Sequence, residues 1–294
     1  MKLSPKWIRD FVDLAVDDRQ LAEDLTGVGI AVEGISGPSA DTVFEMEIGT
    51  NRPDAMNHYG VAREAAAIYD VPLKQLSALN SRFPVPGQWQ TPAAKTASIS
   101  SSDGTTEVVP FPVEPSSAFS LDAPFPITVD EPQLCPRFSA RVIHGTEIKA
   151  SREKIAHRLR LLDQRPISNA VDATNYILWE MGKPTHVFDM DLLEGGQIVV
   201  RKAKNGEKLK TLDGVERTLT SEDLVVCDAK RPVGLAGVMG GYDTMITDKT
   251  QNILIESAWW DPGTVRKSSR RHGIHTDASH RFERGADFES TILS

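Results

Sequence analysis

Residues 81–126 (SRFPVPGQWQTPAAKTASISSSDGTTEVVPFPVEPSSAFSLDAPFP) are dense in serine, threonine and proline and show little helical period. Proline fixes φ and removes a backbone donor, so this composition makes an extended linker laid over a surface. The phenylalanines and valines among the prolines argue against a fully free tether. The chain is therefore expected to fold on either side of the stretch, as a small domain over 1–80 and a larger one over 127–294. At 294 residues it is long enough for two domains and a sizeable core.

Before the linker, Ser4-Pro5 supplies a cap followed by proline at the first helical position, which predicts an amphipathic helix to about residue 16. Leu21 and Leu25 share a face of a second helix over 18–26, ended by Gly27 or Gly29. Residues 30–35 and 43–48 read as strands, the second by its alternation (VFEMEI), around a turn at Gly37-Pro38-Ser39. The loop TNRPDAMNHYG leads to a third helix over 61–69.

After the linker, a strand is predicted over 137–143 with Phe138, Ala140 and Val142 on one face, and a helix over 151–163 on Ile155, Leu159 and Leu162. A short helix follows at 177–181, then a strand at 197–203 and a hairpin turning at Asp213-Gly214. Further short strands at 224–227, 235–239 and 253–255 have glycine-rich corners. The order is α+β, with a mixed larger domain of short strands, and not a doubly wound sheet.

Composition excludes several classes. A net charge of −8 argues against wholesale nucleic-acid coating, DNA included, although a local basic face can still meet an RNA end. Cys135 and Cys227 form no CxxC and no Cys/His metal spacing, so no metal site is expected, and they fit a reducing cytoplasm. Arg9, Asp10 and Asp13 interrupt any signal-peptide core, and no stretch approaches the roughly 20 apolar residues of a membrane span.

Several short segments carry chemistry. Gly234-Leu235-Ala236-Gly237-Val238-Met239-Gly240-Gly241 matches neither phosphate-loop fingerprint; its glycines mean either tight backbone corners or a ligand approaching bare N–H groups. His186, set between apolar neighbours, is by itself more often a core residue; Asp189 and Asp191 are placed to hold one tautomer. Thr174 and Asn175 read as helix-capping residues before 177–181. Glu256 stands in the apolar run ILIESAWW and needs a partner if buried, either an arginine of the chain or a substrate donor. The tail gathers Arg266, Lys267, Arg270, Arg271, Arg281 and Arg284, a concentration suited to phosphates unless Glu283 and Asp287 pair with it. No Ser/His/Asp or Cys/His nucleophile set can be assigned.

Taken in order, CPRFSARVI, RPISNAVDATNYILWEMGKPTHVFD, GLAGVMGG, ILIESAWWDP and RRHGIHTDASHRFERGAD resemble the editing (B3/B4) domain of bacterial phenylalanyl-tRNA synthetase beta subunits. LSPKWIRDFVDL, TGVGIAVEGI and EIGTNRPDAMNHYGVAREAAAIY resemble that family's first (B1) domain. The resemblance covers nearly the whole chain outside the linker. Two departures stand out. Residues 36–42 occupy the place where most bacterial members insert an oligonucleotide-binding-fold tRNA module. The chain also ends at Ser294, before the family's later domains, and is expected to be a piece of a larger subunit.

The resemblance implies hydrolysis of tyrosine wrongly attached to tRNA(Phe), with aminoacylation in the alpha subunit of an alpha2beta2 enzyme. It implies no cofactor for this piece, and ATP and Mg for the full synthetase. Carried over residue by residue, Thr174, Asn175 and His186 would position the ester and water, and Glu256, Gly237 and Ala236 would bind the tyrosine. Arg270, Arg271 and Arg281 would, by charge alone, hold the tRNA 3′ end. The alternatives are a non-catalytic tRNA-binding or assembly module and a free-standing editing protein.

Overall fold

Side-chain caps set where most of the helices begin in the computed structural model, which describes residues 1–38, 41–74 and 125–287. The linker expectation for 81–126 lies outside these residues, save its last two. Helix α1 (Pro5–Ile8) starts at the Ser4 cap as predicted but lasts four residues, not to residue 16. Phe11 and Val12 explain the early stop. Both are buried, and Val12 bridges to Leu73 in antiparallel fashion, which requires extended backbone. Helix α2 (Asp18–Gly27) follows the Asp17 cap, which accepts from Gln20 N at 2.8 Å. Helix α3 (His58–Ile68) begins three residues before expectation because Asn57 Oδ1 accepts from Gly60 N at 2.7 Å. Strands β1 (Lys2–Leu3), β2 (Ala31–Ser36) and β3 (Val43–Glu47) form an antiparallel sheet in the order β1-β3-β2.

The described residues of 1–73 and from Phe125 onward belong to one compact unit, whose second part is built on two sheets. The larger joins β4 (Ile127–Val129), β7 (Ile198–Lys202), β10 (Leu224–Cys227), β11 (Pro232–Leu235) and β12 (Met239–Gly240) in the order β12-β11-β10-β7-β4; only the β4–β7 pairing is parallel. The smaller sheet sets β13 (Ile253–Trp259) between β5 (Arg137–Ile143) and β6 (Thr185–Asp189). Phe188, Leu254 and Ala258 from the smaller sheet meet Val200, Val226 and Leu235 from the larger one in the main core. Burying each such large aliphatic or aromatic side chain contributes about 1.5–3 kcal/mol. A hairpin, β8 (Lys208–Lys210) and β9 (Glu216–Thr218), stands beside the larger sheet and turns at the predicted Asp213-Gly214.

Helix α4 (Glu153–Leu161) precedes α5 (Asn169–Met181), which corrects the short helix expected at 177–181. Ser168 caps α5, and Gly182 ends it at φ +74, where a side chain would be strained. Asp172 sits buried in the first turn and accepts from Ile167 N at 2.8 Å and from Ser151 Oγ. Polar residues that imitate a cap in sequence are thus helix interior. Ala170 and Val171 pack on the outer face of the smaller sheet, against Val187, Ile253 and Ile255. The strand expected at 235–239 is instead a hairpin turn. Gly237 lies at φ +68, and a β-carbon there would meet Trp260 at 2.9 Å and Val265 at 2.8 Å. The tail folds as α6 (Pro262–His272) and α7 (Asp277–Phe282).

The N-terminal segment braces α5 from its other side. Trp7 stacks on His58 at 4.0 Å and tilts against Tyr176 at 4.4 Å. His58 Nε2 accepts from Ser4 N at 2.9 Å, so the proton lies on Nδ1, which donates to Trp179 O at 2.7 Å. Burial holds this imidazole neutral, its pKa pushed down to about 3.

Candidate active site

Alternation along β13 turns Leu254, Glu256 and Ala258 toward the larger sheet and Ile253 and Ile255 toward α5. Glu256 is paired across one edge with His186 and across the other with Ala140. In the register it is thus flanked by His186 on one side and Ala140 on the other, with only 8% of the residue exposed. The His186 ring meets Phe188 edge-on at 4.4 Å and lies against the bare α-carbon of Gly240. A β-carbon at Gly240 would fall 2.2 Å from His186 Cε1 and 2.5 Å from Nε2. Nε2 is sealed from solvent and makes no hydrogen bond among the described residues.

Burial decides the charge state of the pair. It raises the Glu256 pKa to about 8, against a downward pull from Lys183, and lowers that of His186 to about 4. Near neutral pH the cross-strand pair is a carboxylic acid and a neutral imidazole. Lys183 is fully buried, donates to Asp287 O at 3.1 Å, and is brought down to about 8 by burial, with Asp287 opposing. Cys135 donates to Arg137 O at 3.5 Å; burial, and then the Glu256 charge, push its thiol up. Lys183 and Cys135 are buried neighbours of Glu256 that sequence reasoning did not place there. Their only signal was position, inside Gly-Lys-Pro and directly before PRFSARVI.

The other expected site residues are placed differently. Ala236 is buried in the main core and its N–H donates to Leu224 O at 3.0 Å. Gly237 makes room for Trp260, so the glycine of that segment beside His186 is Gly240. Thr174 and Asn175 lie inside α5, and neither caps it. Thr174 Oγ1 donates to Val171 O at 2.7 Å, and no hydrogen bond joins either residue to His186 or Glu256 among the described residues.

Half of the basic tail is committed to the protein itself. Arg281, expected on an RNA face, is 2% exposed; it donates to Met56 O at 3.0 and 3.2 Å and lies 4.7 Å over the Trp179 ring. Arg271 is held by Glu222 and by the buried Asp223, which also takes Ser268 Oγ at 2.8 Å and His272 Nε2 at 3.0 Å. Arg270 remains exposed on α6, together with Arg266 and Lys267. Among the described residues no group of three His, Cys, Asp or Glu side chains is arranged for a metal ion, and no helix is long and apolar enough to cross a membrane.

A family model described as the B3/4 domain matches residues 134–294. A phenylalanine–tRNA ligase beta subunit of Geobacter sulfurreducens is 42% identical over 247 residues, which are 84% of this chain and 27% of that protein. The one of Bacteroides fragilis strain ATCC 25285 is 36% identical over 287 residues, 92% of this chain and 31% of that protein. The chain thus spans under a third of the length of these relatives. A crystal structure of an N-terminal fragment of the phenylalanyl-tRNA synthetase beta-subunit from Pyrococcus horikoshii covers 92% of this chain and 74% of its own. Its 14% identity and TM-score of 0.40 are too loose to bear on the fold.

Proposed function

Because the chain belongs to the B3/4 domain family, in the form carried by bacterial phenylalanine–tRNA ligase beta subunits, we propose that it hydrolyses tyrosine wrongly esterified to tRNA(Phe). The observation that supports this reading is the buried Glu256–His186 cross-strand pair, with Gly240 bare beside it. Tyrosine differs from phenylalanine by one hydroxyl, which an apolar synthetic pocket excludes poorly. A site whose buried polar group must be satisfied can discriminate by roughly 10⁴ or more, because phenylalanine leaves that group unpaired. As an acid near neutral pH, Glu256 can both donate to and accept from the phenol.

In the reaction, water attacks the ester carbonyl, the bond to the ribose oxygen breaks, and that oxygen takes a proton. His186, with a pKa near 4, is a weak base but a free hydrogen-bonding group, suited to orienting the ester or water. Thr174 and Asn175, on the helix behind β6, are proposed to act after a substrate-induced adjustment, and Ala236 and Gly237 to shape the wall beyond Gly240. Residues 1–80 and 127–294 are in this reading two modules of the beta subunit, joined through 81–126. The whole cytoplasmic enzyme would pair it with the alpha subunit as alpha2beta2 and use ATP and Mg for ligation.

Comparing hydrolysis of tyrosyl- and phenylalanyl-tRNA(Phe) tests the reading. Glu256→Ala should collapse the preference for tyrosine, and an unchanged preference would remove Glu256 from the site. A non-catalytic assembly module is the second reading. It is favoured by the brace of Trp7, His58 and Arg281 around α5, which fixes that helix rather than freeing it.

A further inference from the structure

The β8–β9 hairpin folds back onto the segment that carries Gly240. Leu212 N donates to Gly240 O at 3.0 Å, and Thr211 bridges to Gly241. Beneath it lies a cavity of about 40 Å³ bordered by Lys208, Lys210, Arg231, Gly241, Asp243 and Thr244. That is room for about three water-sized groups. Three cations border it, with Asp243, Glu216 and Glu194 as their carboxylate neighbours. Asp243 takes Arg231 Nη1 at 2.7 Å, Lys208 donates to Thr218 at 2.6 Å with Glu216 at 3.7 Å, and Lys210 Nζ lies 3.9 Å over the Tyr242 ring.

Two donors in the wall have no hydrogen-bond partner among the described residues. One is Thr244 Oγ1, on a residue 1% exposed; the other is Arg231 Nε, 3.9 Å from the Glu194 carboxylate. A buried donor left unpaired is costly, so native proteins rarely keep one without an acceptor arriving from outside. An acceptor with several anionic oxygens satisfies the hydroxyl, the guanidinium and both ammonium groups together. Gly241 of the cavity is the chain neighbour of Gly240, whose α-carbon lies against His186, so the cavity and the candidate active site share one stretch of chain.

We propose that this cavity holds a backbone phosphate of an RNA strand whose 3′ end enters the Glu256–His186 site. The identity of the strand rests on the editing reading; the phosphate chemistry rests on the cavity. Arg281 and Arg271 of the tail are committed within the protein, and the hairpin lysines are the cations nearest the Gly240 segment.

Binding of a short unacylated RNA ending in CCA to the 294-residue chain, followed by fluorescence anisotropy across a salt series, tests the proposal. Lys208→Gln with Lys210→Gln should weaken binding at least about fivefold and flatten the salt slope by about one to two. Thr244→Val, which alters no charge, should weaken it about threefold. Inorganic phosphate should compete only at far higher concentration than the RNA; equal competition would make this a free-anion site and overturn the strand assignment. Parent-like binding by both variants, with unchanged thermal unfolding, would overturn the cavity itself. Because the RNA carries no ester, a parent that binds it yet hydrolyses nothing counts against the editing reading alone.

Discussion

Glu256 stands directly across the β6–β13 ladder from His186, and burial drives their ionisation in opposite directions, to about 8 for the acid and about 4 for the imidazole. The two groups consequently act on stability in different pH windows. An unfolded glutamate loses its proton near pH 4.5 while the folded one keeps it to about 8, so stability falls as pH rises between those values. His186 and His58 do the reverse below 6.5, where the unfolded state binds protons that the folded state refuses. From pH 6.5 to 8 the Glu256 contribution stands alone among these groups. Glu256→Gln should therefore gain about 2 kcal/mol over the parent across that interval, read from urea unfolding at a series of pH values. Parallel curves for the two proteins would show that Glu256 is not held as an acid.

Gly240 has no spare room. Gly240→Ala drives a methyl into the imidazole, so the ring must turn away, at a cost of about 1–3 kcal/mol. Release of tyrosine from tRNA(Phe) should fall at least about tenfold, while Gly145→Ala, at an exposed turn after β5, should leave that release unchanged and cost stability only through its positive φ. Equal loss of release in both variants would mean that the Gly240 effect is not local.

His58 is a structural histidine with both nitrogens used. His58→Ala leaves Trp179 O and Ser4 N unpaired in the interior and opens a gap under Trp7, which should cost about 2–4 kcal/mol. A change below about 0.5 kcal/mol in urea unfolding would contradict the brace described around α5.

Arg281 and Arg270 separate structure from surface. Arg281→Met should destabilise by about 2 kcal/mol or more through the freed Met56 carbonyl. Arg270→Gln should stay within about 0.5 kcal/mol of the parent. Comparable thermal unfolding of the two would contradict the buried placement of Arg281.

Legibility in the sequence follows how local each signal is. Strands β5 and β10 are readable to the residue because RFSARVI alternates and LVVC is an unbroken apolar run. Helix α5 is readable only at its end, since Thr174 and Asn175 look like cap residues until Ser168 is seen to cap it. Strand β6 hides behind Gly-Lys-Pro, and its pairing with β13 is a contact across about seventy positions that no local period encodes. The same holds for Arg281, whose acceptor Met56 lies 225 positions away. The resemblance selected His186 and Glu256, which the fold pairs, but it could not distinguish Gly237, turned to Trp260, from Gly240, turned to His186.

Single-turnover release of tyrosine from tyrosyl-tRNA(Phe), measured for the parent, Glu256→Ala and His186→Ala, bears most directly on the proposed hydrolysis. The expected result is release by the parent that slows at least about tenfold in each variant, with phenylalanyl-tRNA(Phe) spared throughout. Release by both variants as fast as by the parent would contradict the assignment of this pair as the editing site.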